Sequence, residues 1–255
     1  MKSGSTSEIL EVLRSGTLEI ESLLPWSSNY TFMVRAYQGG LELPAVYKPI
    51  QGERPLWDFP LGTLSAREYA AFLVSDVLGW DLIPPTVLRQ GEHGLGTVQL
   101  FIEHDPNQHY FTFEGQPAFR NSLQRLVLLD VIINNADRKG GHVIIEAKDT
   151  KDGSGVGVGQ DRLWGIDHGI SFHHEYKLRT VIWEFAGTMI PQSLMVDLAA
   201  LEEELLRSDS HLRQNLQPLL NGEELTAFEK RLRRIIEDGS FPNPGPGRHF
   251  PWPPV

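Results

Sequence analysis

Apolar residues recur along this chain with two different periods, and the change from one to the other divides it. From Leu18 to Pro49 they alternate with polar ones, as a half-buried strand requires. Leu18-Glu19-Ile20-Glu21, Thr31-Phe32-Met33-Val34 and Pro44-Ala45-Val46-Tyr47-Lys48-Pro49 read as antiparallel strands, with a turn at Gln38-Gly39-Gly40. A short helix precedes them over about Ser7 to Arg14, where Ser5 and Glu8 have capping-box spacing and Ile9, Leu10, Val12 and Leu13 form an apolar side. The same spacing at Ser65 and Glu68 opens a helix that stops near Gly79, with Tyr69, Phe72, Leu73, Val77 and Leu78 as its buried side. Extended segments return at Thr86–Leu88 and Thr97–Ile102, around a turn at Gly94 and Gly96.

Glu103 to Gln116 has no period and reads as a connection. Helical spacing then takes over at Ala118–Asn134, apolar at Leu123, Leu126, Val127 and Ile133, and again at Pro191–Arg207, Leu212–Leu220 and Glu223–Asp238. Between these helices lies the stretch with the most chemistry. LVLLDVIINNADRKGGHVII, from Leu126 to Ile145, is an apolar helix ending in a polar knot and then a short strand. After a Gly-rich insert, a second strand at Leu163-Trp164 delivers Asp167 just before a glycine. The tail from Gly239 to Val255 is rich in proline and glycine and predicts no regular element.

Composition narrows the function classes. The chain has 255 residues and a formal net charge of −10, which argues against a nucleic-acid partner while leaving room for a local positive pocket. No cysteine is present, so disulfides and thiolate metal sites are excluded. The N-terminal residues lack the layout of a signal peptide, and no apolar run reaches bilayer length, so a cytoplasmic protein is expected.

Asp137 follows the end of the long helix, where a rigid element aims a carboxylate from a loop; that suits a base for a hydroxyl. His142 lies five residues on, the interval at which a catalytic-loop Asp is followed by a metal ligand in phosphoryl transfer. Asp167, in Gly-Ile-Asp-His-Gly, stands where a strand-end carboxylate can hold Mg²⁺ because the glycine lets the backbone turn away. Asp-x-Gly alone is common in turns; its pairing with Asp137 across a hairpin gives it weight. Lys48 ends the third strand and can bind phosphate oxygens, with the helix residue Glu68 holding it. A conflict arises, because Glu68 folded back onto Ser65 is not free for Lys48. Ser27 and Ser28, in a tight turn without glycines, offer hydroxyls and N–H groups to phosphates.

These residues resemble the phosphatidylinositol 3-/4-kinase-like branch of the protein-kinase-like superfamily. The likeness rests on Val46-Tyr47-Lys48-Pro49, on Leu129 to Arg138 with Asp before Arg, and on Gly165-Ile166-Asp167-His168-Gly169. It implies an α+β, two-lobed protein-kinase-like fold: an antiparallel sheet plus one helix over residues 1–103, a mainly helical catalytic lobe over 104–240, and a tail over 241–255. It further implies Asp137 as base, Asp167 as metal ligand, Lys48 as phosphate contact, and Gln99, Phe101 and Ile102 as the hinge over the adenine. The reaction would move the γ-phosphate of ATP, with Mg²⁺ or Mn²⁺, to a hydroxyl on a protein, lipid or small molecule. His142 departs from the branch's usual Asn, and a nucleotide-binding pseudokinase acting as scaffold or sensor is the alternative. A zinc site built on His104, Asp105 and His109, or on His173, His174 and Glu175, is a third reading. Lys230, Arg231, Arg233 and Arg234, beside Phe228, Leu232, Ile235 and Ile236, read as a helix packed on the second lobe rather than on a membrane.

Overall fold

The computed structural model describes residues 5–24, 30–147 and 162–255. Ser27, Ser28 and the glycines from Gly153 to Gly159 lie outside the described residues.

The alternating segments form one antiparallel sheet of strands β1 (Thr17–Leu23), β2 (Phe32–Gln38), β3 (Leu41–Pro49), β4 (Thr86–Gly91) and β5 (Gly94–Leu100), in the order β1-β2-β3-β5-β4. The period of two decides what each face does. On β3, Leu43, Ala45 and Tyr47 are buried in a small core with Val34, Ala36, Val87 and Val98, covered by Val12 and Leu13 of helix α1 (Thr6–Ser15). Val46 and Lys48 therefore point to the opposite face. The α1 capping box is present as expected: Ser5 Oγ accepts from Glu8 N–H and the Glu8 carboxylate accepts from Ser5 N–H. Gly96 lies opposite Pro49, and a Cβ there would stand 2.3 Å from the Lys48 carbonyl oxygen, so β5 approaches β3 closely only because that residue is glycine.

Helix α2 (Leu64–Val77) departs from expectation in two ways. Its buried side is Ala70, Ala71, Phe72 and Val74 together with Arg67 and Glu68, whereas Val77 is exposed. Its capping box does not form: Thr63 is the N-cap and makes no side-chain cap bond. Glu53, from the preceding loop, instead accepts from Leu64 N–H at 3.1 Å, Ser65 N–H at 2.8 Å and the Ser65 hydroxyl at 2.7 Å. A carboxylate there also suits the positive end of the helix.

The helical part is built around α4 (Arg120–Ile133), in which every residue from Leu126 to Ile133 is buried. It packs with α5 (Gln192–Leu206), α6 (His211–Leu216) and α7 (Gly222–Asp238) in one large core, which Phe72 and Val74 of α2 and its C-cap Leu78 also enter. The connection Glu103–Gln116 contains a short helix, α3 (Tyr110–Phe113), whose Tyr110 and Phe113 are buried; four residues are too few to carry a period. Helix α7 packs as expected, with Phe228, Leu232 and Ile235 in the core and Arg233 paired to Glu202. Strands β6 (Val143–Ile145) and β7 (Leu163–Gly165) form a separate antiparallel pair, the hairpin expected between Asp137 and Asp167. The tail has no helix or strand after Ser240, yet it is anchored: Phe241 and Pro251 are buried.

Candidate active site

Asp137, His142, Asp167, Lys48 and Glu68 line one cleft of about 490 Å³ between the sheet and the helical part. Lys48 leaves β3 on the face away from α1, and its ammonium contacts Glu68 Oε1 at 2.7 Å and Asp167 Oδ1. The other Glu68 oxygen accepts from Thr97 Oγ1 at 2.9 Å, and Thr97 stands opposite Lys48 on β5. With α2 capped by Glu53, Glu68 is free for this role, and the conflict seen in the sequence disappears. Burial pulls the Lys48 ammonium down, but Asp167 and Glu68 together outweigh it and hold its pKa above the ordinary lysine value.

The loop after α4 is fixed by buried polar contacts. Asn134 caps the helix in the left-handed conformation (φ 57°), donating through Nδ2 to the carbonyls of His173 and Glu175 and accepting from Lys177 N–H. Asn135 Oδ1 accepts from the Asp137 N–H at 3.0 Å, and its Nδ2 donates to Asp130. Asp137 itself pairs with Lys139 at 3.0 Å. Desolvation nevertheless wins, and the Asp137 carboxyl lies above the usual carboxylate range, as suits a proton acceptor.

Arg138, noted in the sequence only for its order after Asp137, is wholly buried and joins the parts of the site. Its Nε and Nη2 donate to the two Asp130 oxygens, at 2.8 and 3.0 Å. Nη1 donates to the carbonyls of His142 and Ile166, and Nη2 also meets His168 Nε2 at 2.6 Å. One guanidinium thus binds the loop carrying Asp137, the residue His142 and the turn bearing Asp167. As that guanidinium only donates, His168 Nε2 must accept, which keeps the ring neutral; burial and Arg138 hold its pKa well below the ordinary value. Gly165 makes room for this contact, since a Cβ there would stand 2.8 Å from Leu126 and 3.4 Å from both Arg138 and His168.

Asp167 adopts a left-handed conformation (φ 60°), uncommon for a residue other than glycine, and turns a half-exposed carboxylate into the cleft. Lys48 holds that carboxyl well below its usual range. His142 Nε2 lies 3.4 Å from Asp167 Oδ2, and burial pushes the imidazole pKa down to about 4, so the ring is neutral at physiological pH. A cation bound here would meet an ionised oxygen and a neutral nitrogen on neighbouring residues, with phosphate oxygens and water left to complete its shell. That donor pair fits a single divalent ion.

The residues expected to form a hinge, Gln99, Phe101 and Ile102, are not among those lining the cleft and are placed differently from one another. Gln99 turns its amide to Thr86 Oγ1 at 2.8 Å, and the Phe101 N–H donates to the Pro44 carbonyl. Ile102 packs with Ile144 and Trp164 in an apolar cluster that Leu100 and Ile166 border. The zinc reading has no support. Both His173 nitrogens are engaged, with the Asp58 carbonyl and the Glu175 N–H, and among the described residues no group of three His, Asp or Glu could hold a metal.

Sequence reading missed Glu53, Thr97, the Asp130–Arg138 pair, and Arg248 and Trp252, which line the cleft together with Arg179. The Asp-Arg order pointed toward Arg138. Nothing local distinguished the others.

Fold and cleft together define a protein-kinase-like molecule. A crystal structure of the Golgi casein kinase with Mn/ADP bound has the same fold over 91% of this chain and 74% of its own, at a TM-score of 0.57 and 15% identity. A model of the family "Phosphatidylinositol 3- and 4-kinase" matches residues 91–218, and the chain belongs to that family. Protein Rv2133c of Mycobacterium tuberculosis is 34% identical over 95% of this chain and 94% of its own length. Phosphatidylinositol 4-kinase gamma 4 of Oryza sativa subsp. japonica is 25% identical over 48% of this chain, which spans only 23% of that protein.

Proposed function

We propose that the protein transfers the γ-phosphate of ATP to a hydroxyl group. The observation that carries this reading is the meeting of Lys48, Glu68 and Asp167 in one cleft with Asp137. They come from a strand, a helix and two loops, and converge where donor phosphates, a metal and an acceptor would have to converge.

In this reading the residues 1–103 hold the nucleotide, with Ile102 against the adenine, Gln99 and Phe101 fixing the backbone around it, and Ser27 and Ser28 near the phosphates. Residues 104–240 hold the acceptor and the base. Lys48 binds donor phosphate oxygens, held in place by Glu68. Asp137, with its raised pKa, orients the acceptor hydroxyl and takes its proton as the oxygen attacks the γ-phosphorus and ADP departs. Asp167, with His142 beside it, would hold Mg²⁺ or Mn²⁺, whose chemistry is to neutralise charge on the phosphates. The casein kinase relative, whose structure holds Mn and ADP, supports the nucleotide and the divalent ion.

The test is γ-labelled ATP with a cell extract as acceptor, comparing the wild type with Asp137→Asn. Label transfer should fall by roughly 10²- to 10⁴-fold, while nucleotide-dependent thermal stabilisation is retained. Equal labelling by both proteins would exclude Asp137 as the base. His142 favours a second reading, nucleotide binding without transfer; stabilisation by ATP with no labelled product from any acceptor would establish it.

A further inference from the structure

A second cavity, of about 400 Å³, opens between α7 and the first residues of the tail, and none of the residues lining it lines the cleft. Val131 of α4, Ile235 of α7 and Phe241 give it an apolar wall. Arg231, Arg234 and Asp238 give it a charged one, since steps of three and four residues put them on one face of α7.

Arg231 belongs to the cationic run of α7, but it turns inward, unlike Arg233, which pairs with Glu202 at the surface. Its Nε donates to the Ile132 carbonyl at 2.9 Å and its Nη1 to the His173 carbonyl at 3.2 Å. The His173 carbonyl also accepts from Asn134, the cap from which the Asp137 loop departs. Arg231 Nη2 is buried and, among the described residues, has no hydrogen-bond partner. Glu224, the acid whose charge reaches this guanidinium, is taken by Arg67. Burial accordingly pulls the Arg231 pKa down to about 10, which still leaves it charged at physiological pH. Holding two carbonyls explains Nε and Nη1, and a neutral donor would serve for that. A desolvated charge with a donor to spare is costly unless an anion meets it.

The other lining groups define that anion. Arg234 and Asp238 sit at the rim, largely exposed and 3.6 Å apart, and offset one another. The single positive charge of Arg231 remains, which suits a monoanion rather than a polyphosphate. A guanidinium fork matches the two oxygens of a carboxylate. Val131, Ile235 and Phe241 offer a surface to a carbon skeleton, and the cavity has the size of a small-molecule site. Tyr176, 59% exposed, stands at its mouth beside Gly245.

We infer that this cavity binds an organic monocarboxylate, with the carboxylate on Arg231 and an apolar body against Val131, Ile235 and Phe241. The site is independent of the phosphotransferase reading and would stand if that reading failed. Its ligand would rest one side chain away from the carbonyls that anchor the end of α4.

The test titrates the full chain with 3-phenylpropionate, followed by calorimetry and by the thermal midpoint. The controls are 3-phenylpropanol, which lacks the charge, and acetate, which lacks the body. The acid should bind saturably with a Kd on the order of 1 mM or tighter, raise the midpoint, and exceed either control by roughly tenfold or more in affinity. Arg231→Lys keeps the charge but loses the fork, and should weaken binding roughly tenfold to a hundredfold. Arg231 also holds two carbonyls, so Gly245→Leu provides a second variant away from those bonds. It sets a side chain beside Tyr176 at the mouth and should exclude the acid while the midpoint of the unliganded chain is unchanged. A non-hydrolysable ATP analogue should not displace the acid. Absence of saturable binding, equal binding of a control, or binding indifferent to both variants overturns the inference. Displacement by the ATP analogue would assign the acid to the cleft and overturn it as well.

Discussion

At the residue scale, the site depends on charges placed where water cannot screen them. His142 is the clearest case, because its pKa of about 4 in the folded chain lies below the ordinary value of 6.5. An unfolded chain binds the proton first as pH falls, so His142 favours the folded state fully above pH 6.5 and loses that contribution as pH drops toward 4. The shift amounts to about 3 kcal/mol. Urea unfolding followed between pH 7 and 4 should show stability falling across this window, and His142→Asn should flatten part of the slope. His168, held neutral by burial and by Arg138, and His173, whose pKa burial also lowers, add to the same slope. An unchanged slope in His142→Asn would mean that the imidazole is not held neutral. Asp137 and Asp167 were legible in the sequence because spacing from a helix end and a following glycine are local signals. The Asp130–Arg138 pair was not, since its value lies in what else Arg138 reaches: carbonyls at His142 and Ile166, the second 28 residues away.

At the element scale, α2 carries the main correction. Ser65 and Glu68 have the spacing of a capping box, and the local rule assigns Glu68 to Ser65. A partner twelve residues upstream, Glu53, takes that position, and no local pattern announces it. Glu53→Ala should therefore do more than remove a cap. Loss of the cap costs about 0.5–2 kcal/mol, measurable by urea unfolding. It also frees Ser65 to draw Glu68 away from Lys48, so affinity for the nucleotide should fall with stability. Glu53→Gln, which keeps an acceptor, should restore most of both. If Glu53→Ala lost stability alone, the cap and the Lys48 site would be independent. The strands were read correctly because alternation is a property of each strand by itself, whereas the buried side of α2 was not. That helix lies between the sheet and α6 and is covered on more than one side, so a single apolar stripe does not describe it.

At the scale of the whole molecule, a buried ion pair joins the first half of the chain to its last helix. Arg67 of α2, 1% exposed, pairs with Glu224 of α7 and donates to the Ser171 carbonyl at 2.7 Å, while Glu224 completes the α7 capping box by accepting from Asn221 N–H. Removing one partner strands the other in the core. Arg67→Met alone should destabilise the protein by about 3–5 kcal/mol, and Arg67→Met with Glu224→Leu by less than the sum of the single changes. Strict additivity in thermal or urea unfolding would show that the two residues do not interact. Neither residue is conspicuous in the sequence, because 157 positions separate them. The tail is the converse case. Its composition predicted the lack of regular structure, but its backbone bonds to Gly140 and Thr180 depend on segments that only the folded chain brings near.

The position of α2 has a consequence for control. In protein kinases, activity is commonly governed by swinging the helix that carries the lysine's glutamate, so that the ion pair forms or breaks. Here Glu68 is bound to Lys48 and Thr97 on one side, and one residue before it Arg67 is locked to Glu224 on the other. A swing toward either side would break a buried charge contact on the opposite one, with the helix's own apolar residues pulled from the shared core. The lever is welded in place. Under the proposed function, a site built this way would stand assembled before its substrates arrive, and its output would follow what is supplied to the cleft rather than the posture of a helix.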